Sequence, residues 1–237
     1  MAEARSDHWL PSAAYLYVLH LDGPALAWEY LRRNPDYRRD WARRRPGAAQ
    51  RWGLRLLEDP GLDARYAHPA WFPDHDTVVQ LYPDADPPLD ALPFEFWRIP
   101  GHKQLIHDGR RLLLIARLPG GVLRIALAPT LDDGMAYAHA FRACHPPYAR
   151  SRALAGELDK LAAAHAGPAA PISATKPRPS QSMLMELYTL QALDGTLAGA
   201  SLRTVADALY GPDAVAAHWH ADGDLRGRVR RLVQRGN

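Results

Sequence analysis

Between residues 167 and 180 the sequence reads GPAAPISATKPRPS, four prolines in fourteen positions. Proline lacks a backbone donor and clashes with the preceding helical turn, so neither a helix nor a β-ladder persists there. The segment reads as a linker or extended arm, and it sets residues 181–237 apart as a C-terminal section. The rest of the chain has ordinary globular character, 47% hydrophobic and 23% charged over 237 residues. That length allows one large or two small domains with a proper core. A single cysteine, Cys144, excludes a disulfide framework and a zinc site built from several cysteines. No apolar run approaches the roughly 18 residues that span a bilayer. No uninterrupted apolar segment follows a basic start, so the expected location is the cytoplasm.

The pattern predicts an α+β chain. Residues 1–66 read as a helical N-terminal domain: Leu26, Trp28, Leu31, Tyr37 and Trp41 supply apolar groups, and Asn34-Pro35-Asp36 sets a turn between helices near 24–33 and 37–45. A further amphipathic piece covers 50–57. Residues 67–93 are rich in Pro and Asp and read as an irregular, acidic connection. Residues 94–166 read as a small antiparallel β-meander with covering helices. Strands are expected at 94–99, 104–107, 111–118 and 122–128, with turns at Asp108-Gly109 and Pro119-Gly120-Gly121. Leu123, Ile125 and Leu127 alternate with Val122, Arg124 and Ala126, which puts the larger apolar groups on one face. Helices at 132–143 and 151–166 are expected to cover it.

In residues 181–237 the period is helical again. Met183, Leu184, Leu187, Tyr188, Leu190 and Gln191 form the apolar stripe of a first helix. Leu202, Val205, Ala206 and Leu209 form a second, with Ser201 as N-cap and Gly211-Pro212 as its end. In a last helix from Leu225, the residues Leu225, Val229, Leu232 and Val233 gather on one face. Arg226, Arg228, Arg230, Arg231 and Arg235 occupy the rest of its circumference. A short helix, a glycine-marked break and a basic helix make a helix-turn-helix-like arrangement, although residues 211–223 exceed the usual turn of three or four. Guanidinium forks pair with phosphate oxygens or guanine edges, so this helix suits duplex DNA. The same pattern also describes a solvated terminal helix.

Charge is segregated along the chain. Residues 32–55 hold nine arginines against Asp36 and Asp40, and residues 56–95 hold nine acids against Arg65. The first cluster, from Arg32 to Arg45, interleaves with Tyr37 and Trp41. It reads as a solvated helix with core aromatics, as a surface that grips phosphates or bases, or as a partner for the acidic stretch of a neighbouring subunit.

The string SLRTVADALYG, a tryptophan, and LRGRVRRLVQRG together resemble the DNA-binding domain of RovC-type transcription factors. FEFWRIPGHKQLIHDGRRLLLIARLPGGVLRIALAP with DDGMAYAHAF is similar to the β-rich part of that family. LAWEYLRRNPDYRRDW is similar to the proteobacterial transcriptional-regulator-like domain often fused ahead of it. The resemblance implies transcriptional control of type VI secretion or of mobile-element transfer. It implies DNA contact by Ser201, Arg203 and Thr204 on the supporting helix and by Arg226, Arg228, Arg230, Arg231 and Arg235 on the basic helix. It also implies a further Gly-Tyr-containing segment past the basic helix, where this sequence ends at Asn237. Family members also act as antiactivators that bind another regulator, so that role is the alternative.

His68, Asp74, His75 and Asp76 lack metal-ligand spacing, and Cys144-His145 has no third catalytic partner. Neither a Walker-type GxxxxGK[ST] nor a GxGxxG is present. The expectation is a DNA-binding activator without enzymatic activity, cofactor or metal. Its expected partners are promoter DNA, further copies of itself, and RNA polymerase or another regulator, with no membrane.

Overall fold

The computed structural model describes residues 8–45, 47–72, 78–107, 109, 111–118, 121–140, 147–165, 179–220 and 223–236. Asp108, Pro119, Gly120 and nearly all of the proline-rich linker lie outside them. The fold is mixed α and β, in two compact units.

One unit comprises Arg45–Glu58 and His68–Lys176. Its five-stranded sheet runs, in spatial order, β2 (His102–His107), β3 (Leu112–Leu118), β4 (Gly121–Leu127), β1 (Val79–Pro83) and β5 (Tyr137–Ala140). The strands β2, β3 and β4 are antiparallel neighbours, with Leu105 opposite Leu114 and Leu114 opposite Ile125. On one face Leu123, Ile125 and Leu127 bury with Leu154 and Leu161 of α4 (Pro147–His165). The expected alternation of β4 thus turns its larger apolar groups toward a helix. Polar contacts fasten the same pair: Arg124 N–H donates to Glu157 Oε2 at 2.9 Å, and Lys160 Nζ donates to the Val122 carbonyl at 2.9 Å. The opposite face buries Ile106, Leu113, Ile115 and Ala126 with Ala70 and Val78.

Four expectations fail in this unit. The stretch 67–93 is not wholly irregular, because β1 (Val79–Pro83) lies inside the sheet, parallel to β4 with Val79 opposite Ile125. Its signal is short, an inward Val79 and Leu81 alternating with Gln80 and Tyr82. The expected helix at 132–143 contains instead the edge strand β5 (Tyr137–Ala140), antiparallel to β1. Alanine-rich local preference amounts to less than ~1 kcal/mol per residue, and a ladder to an existing strand outweighs it. Residues 94–99 form a 3-10 turn, Phe96–Arg98, rather than a strand. Phe94 and Ile99 bury five positions apart, which no alternating strand permits on one face. Finally, the helix expected at 50–57 is the single turn α3 (Ala48–Arg51). Gly53 then adopts φ 67°, and its carbonyl accepts from Phe72 N–H at 2.6 Å.

The other unit comprises Met1–Arg44, Asp59–Ala67 and Pro177–Asn237. After a 3-10 segment, Ser12–His20, come α1 (Gly23–Leu31) and α2 (Pro35–Arg43). Asn34 sets the turn between them: its Oδ1 accepts from Asp36 N–H at 2.8 Å and Tyr37 N–H at 3.2 Å. At the C-terminus stand α5 (Gln181–Leu197), α6 (Leu202–Tyr210), α7 (Pro212–His218) and α8 (Asp224–Gly236).

The N-terminal and C-terminal helices share one core. Trp9, Tyr15 and Val18 bury against Leu187, Leu190 and Val205. Helix α5 is its centre, packed by the 3-10 segment, α6 and α8. The expected single stripe on this helix is therefore too narrow. Glu186, Leu187, Thr189, Leu190, Gln191, Ala192, Leu193 and Gly195 are all buried, while Leu184 is exposed. The buried Gln191 amide donates to the carbonyls of Trp9 and Leu10, both at 3.0 Å. Gly195 lets the Trp9 ring approach: a Cβ there would lie 2.9 Å from Trp9 Cζ3 and 3.0 Å from Val205 Cγ2.

Candidate nucleic-acid interface

Helix α8 is divided along its length. Val229 and Leu232 are buried in the shared core and Leu225 and Val233 are half-buried, whereas Arg228, Arg230, Arg231 and Arg235 are exposed. Packing against α5 and α6 fixes the apolar face and thereby aims the guanidinium groups outward.

The arginines are not equivalent. Arg228 Nη2 lies 2.6 Å from Asp224 Oδ2 one turn earlier, and Arg231 Nη2 lies 3.8 Å from Asp224 Oδ1. These exposed pairs contribute only about 0–1 kcal/mol each. Arg235 pairs with Glu186, a buried carboxylate of α5 that also accepts from Tyr30 Oη of α1. Burial and that carboxylate hold the Tyr30 hydroxyl far above its usual range. Arg235 is thus partly a structural tie between α8 and α5. Arg226 is half-buried and engaged. Arg230 is exposed and has no side-chain partner among the described residues.

The three positions on α6 are exposed at its first turn. Ser201 Oγ accepts from Thr204 N–H at 3.1 Å and shares a 2.8 Å hydrogen bond with Thr204 Oγ1. Both hydroxyls serve the N-cap. Arg203 has no side-chain partner among the described residues. Gly211, at φ 85°, separates α6 from α7 in one residue. The eight residues therefore lie on α8 and on the α6 N-terminus, two helices that pack on each other within one core.

A second ionic cluster lies inside this unit, and sequence reasoning missed it. Arg33, from the basic N-terminal run, is only 7% exposed. Its guanidinium contacts Glu29 and both oxygens of Asp194. Glu29 also accepts from Arg32 Nε at 2.8 Å and from Ala64 N–H at 2.6 Å, and Asp194 accepts from Tyr15 Oη at 2.7 Å. Burial pushes both carboxyls up, but the arginines outweigh it and hold each below the ordinary carboxylate range. Burial, with the Glu29 charge, raises the Tyr17 hydroxyl to about 12. Nothing in the one-dimensional pattern distinguishes Arg33 from its exposed neighbours.

Among the described residues no three His, Cys, Asp or Glu side chains gather as metal ligands. Asp74, His75, Asp76, Cys144 and His145 lie outside those residues. No described helix is long and apolar enough to cross a membrane.

Residues 124–237 match a family described as a type VI secretion system transcription factor DNA-binding domain, of RovC type. Residues 8–56 match the proteobacterial transcriptional regulator-like domain, and residues 76–123 match a domain of unknown function. No curated protein matches the chain. The RovC-type match takes in the second half of β4, β5 and α4 as well as α5–α8, and the regulator-like match takes in the helices that share the α5 core. The C-terminal half of the chain is thus similar to the RovC-type transcription factor DNA-binding domain, and its N-terminal helices are similar to the proteobacterial transcriptional regulator-like domain.

Proposed function

We propose that this protein is a cytoplasmic bacterial transcription factor that binds promoter DNA through α6 and α8 in a helix-turn-helix-like manner. The observation that carries the reading is the division of α8: Val229 and Leu232 are anchored in the core while Arg228, Arg230 and Arg231 project. Most of these arginines meet phosphates and set register, and one or two read guanine edges in the major groove. The Ser201–Thr204 turn adds backbone contacts at a helix N-terminus, where anions are favoured. The protein acts by binding rather than catalysis, as a symmetric assembly on a two-fold operator, with type VI secretion or mobile-element transfer genes as targets. The family description supports the first of these targets.

The test is an anisotropy titration on DNA upstream of the protein's own gene and on scrambled DNA, across several salt concentrations. Tighter binding to the upstream DNA, weakening steeply with salt and abolished in Arg228→Glu/Arg231→Glu, is the expected result. Equal, weak binding to both sequences overturns the reading. Repression that survives the double variant through a protein partner would make the chain an antiactivator.

A further inference from the structure

We infer that α2 carries a second DNA contact, a phosphate-binding face formed by Arg38, Arg39 and Arg43, with Arg44 beside it at the end of the helix. The inference rests on the DNA-binding reading of α8 and extends it to the N-terminal helices. At about 100° per residue, Tyr37, Trp41 and Asp40 fall on one side of α2 and Arg38, Arg39 and Arg43 on the other. Burial follows that division: Tyr37 and Asp40 are buried, Trp41 is half-buried, and the arginines are exposed. On the outer side Asp36 forms an exposed pair with Arg39. Arg39 and Arg43, four residues apart on the helix, repel each other, and a bound phosphate relieves that repulsion.

Arg44 gives the second, independent observation. It ends α2 at φ 47° and ψ 41°, and it is the one non-glycine residue with positive φ among those described. Glycine takes this left-handed position without strain and is the usual helix terminator there. An arginine in that place carries a side chain the backbone disfavours, and its guanidinium is held over the Trp41 ring, 5.5 Å from the centroid. Strain maintained by its surroundings points to a use for the group.

Helix α2 is also held in the unit that contains α8. Asn34 caps α2 with its side chain and donates its N–H to the Leu31 carbonyl of α1 at 3.0 Å, Arg33 beside it grips Asp194 of α5, and Tyr30 shares Glu186 with Arg235 of α8. A basic face so placed adds sequence-independent affinity, because each neutralised phosphate releases counterions.

The experiment uses the full chain carrying Arg38→Gln, Arg43→Gln and Arg44→Gly, with Arg228→Glu/Arg231→Glu alongside. Each protein is titrated on upstream and scrambled duplexes from 50 to 200 mM salt. The expected result is weaker binding to both duplexes, with the log–log salt slope shallower by about 1 for each phosphate that is no longer neutralised. The unfolding midpoint is not lowered, since glycine relieves the strain at position 44, and the sedimentation mass is unchanged. A folded triple variant with wild-type affinity and slope overturns the α2 contact while leaving the α8 reading intact. A change of sedimentation mass with unaltered DNA binding also overturns it and makes the face a protein contact. Weakened binding in the triple variant but not in the α8 variant refutes the α8 reading alone. No DNA binding by the wild-type chain overturns both.

Discussion

The guanidinium of Arg33 grips both oxygens of Asp194, 161 positions away in sequence, with Nε 2.7 Å from Oδ1 and Nη2 2.8 Å from Oδ2. This two-bond fork is the strong geometry of arginine and carboxylate, and it joins the N-terminal helices to α5, the central helix of the shared core. The same guanidinium contacts Glu29, so three charges sit together where little water reaches them.

Removing one member of such a cluster strands the others. Arg33→Met should cost about 3–5 kcal/mol in urea unfolding, as should Asp194→Leu. The double variant should cost clearly less than the sum, because no uncompensated charge then remains between those two positions. Additive losses would show that the two residues stabilise the fold independently.

At Ser201 the capping role can be separated from the DNA contact proposed for it. Ser201→Ala should lower stability by about 1 kcal/mol, since the Thr204 N–H loses its acceptor. Ser201→Asp keeps an N-cap acceptor but adds a negative charge at the α6 N-terminus. Its thermal melt should match wild type while its affinity for upstream DNA falls. Undiminished affinity would remove Ser201 from the interface and leave it a cap alone.

His68 makes stability depend on pH. Its ring stacks on His102 at 5.6 Å, and burial, followed by the charges of Arg117, His102 and Arg124, lowers its pKa from 6.5 to about 4. The unfolded chain therefore takes up a proton near pH 6.5 that the folded chain refuses until about pH 4. This contribution is complete above pH 6.5 and is lost on acidification toward pH 4, by at most about 1.4 kcal/mol per pH unit. Urea midpoints at pH 7 and pH 5 should differ more for wild type than for His68→Gln. That window lies above the range in which Glu29 and Asp194, both held low, lose their stabilising charge. Equal differences in the two proteins would show that His68 titrates normally.

Elements with strong local signals are legible in the amino-acid sequence alone. The break at Asn34, which caps α2 rather than opening a three-residue turn, the helices on either side of it and the Ser201 cap rest on contacts spanning two to four residues. The two faces of β4 and of α8 follow from periodicity, which is a property of the chain itself. The basic character of α8 and the placing of its arginines opposite Val229 and Leu232 are likewise written in the sequence.

Only the tertiary structure decided what non-local partners decide. Residues 79–83 became an inner strand because β4 and β5 lay ready to pair with them, and residues 137–140 became a strand against an alanine-rich preference. Arg33 and Arg38 read alike in sequence, yet one is buried on Asp194 and the other is exposed. Helix α5 took its buried character from the N-terminal segment that packs on it, where Gly195 admits Trp9 and Gln191 holds the carbonyls of Trp9 and Leu10. Local dihedral preference and side-chain period are encoded residue by residue. Burial of a charge and pairing of a strand depend on groups more than a hundred residues away or across a sheet, and those distances exist only in the folded chain.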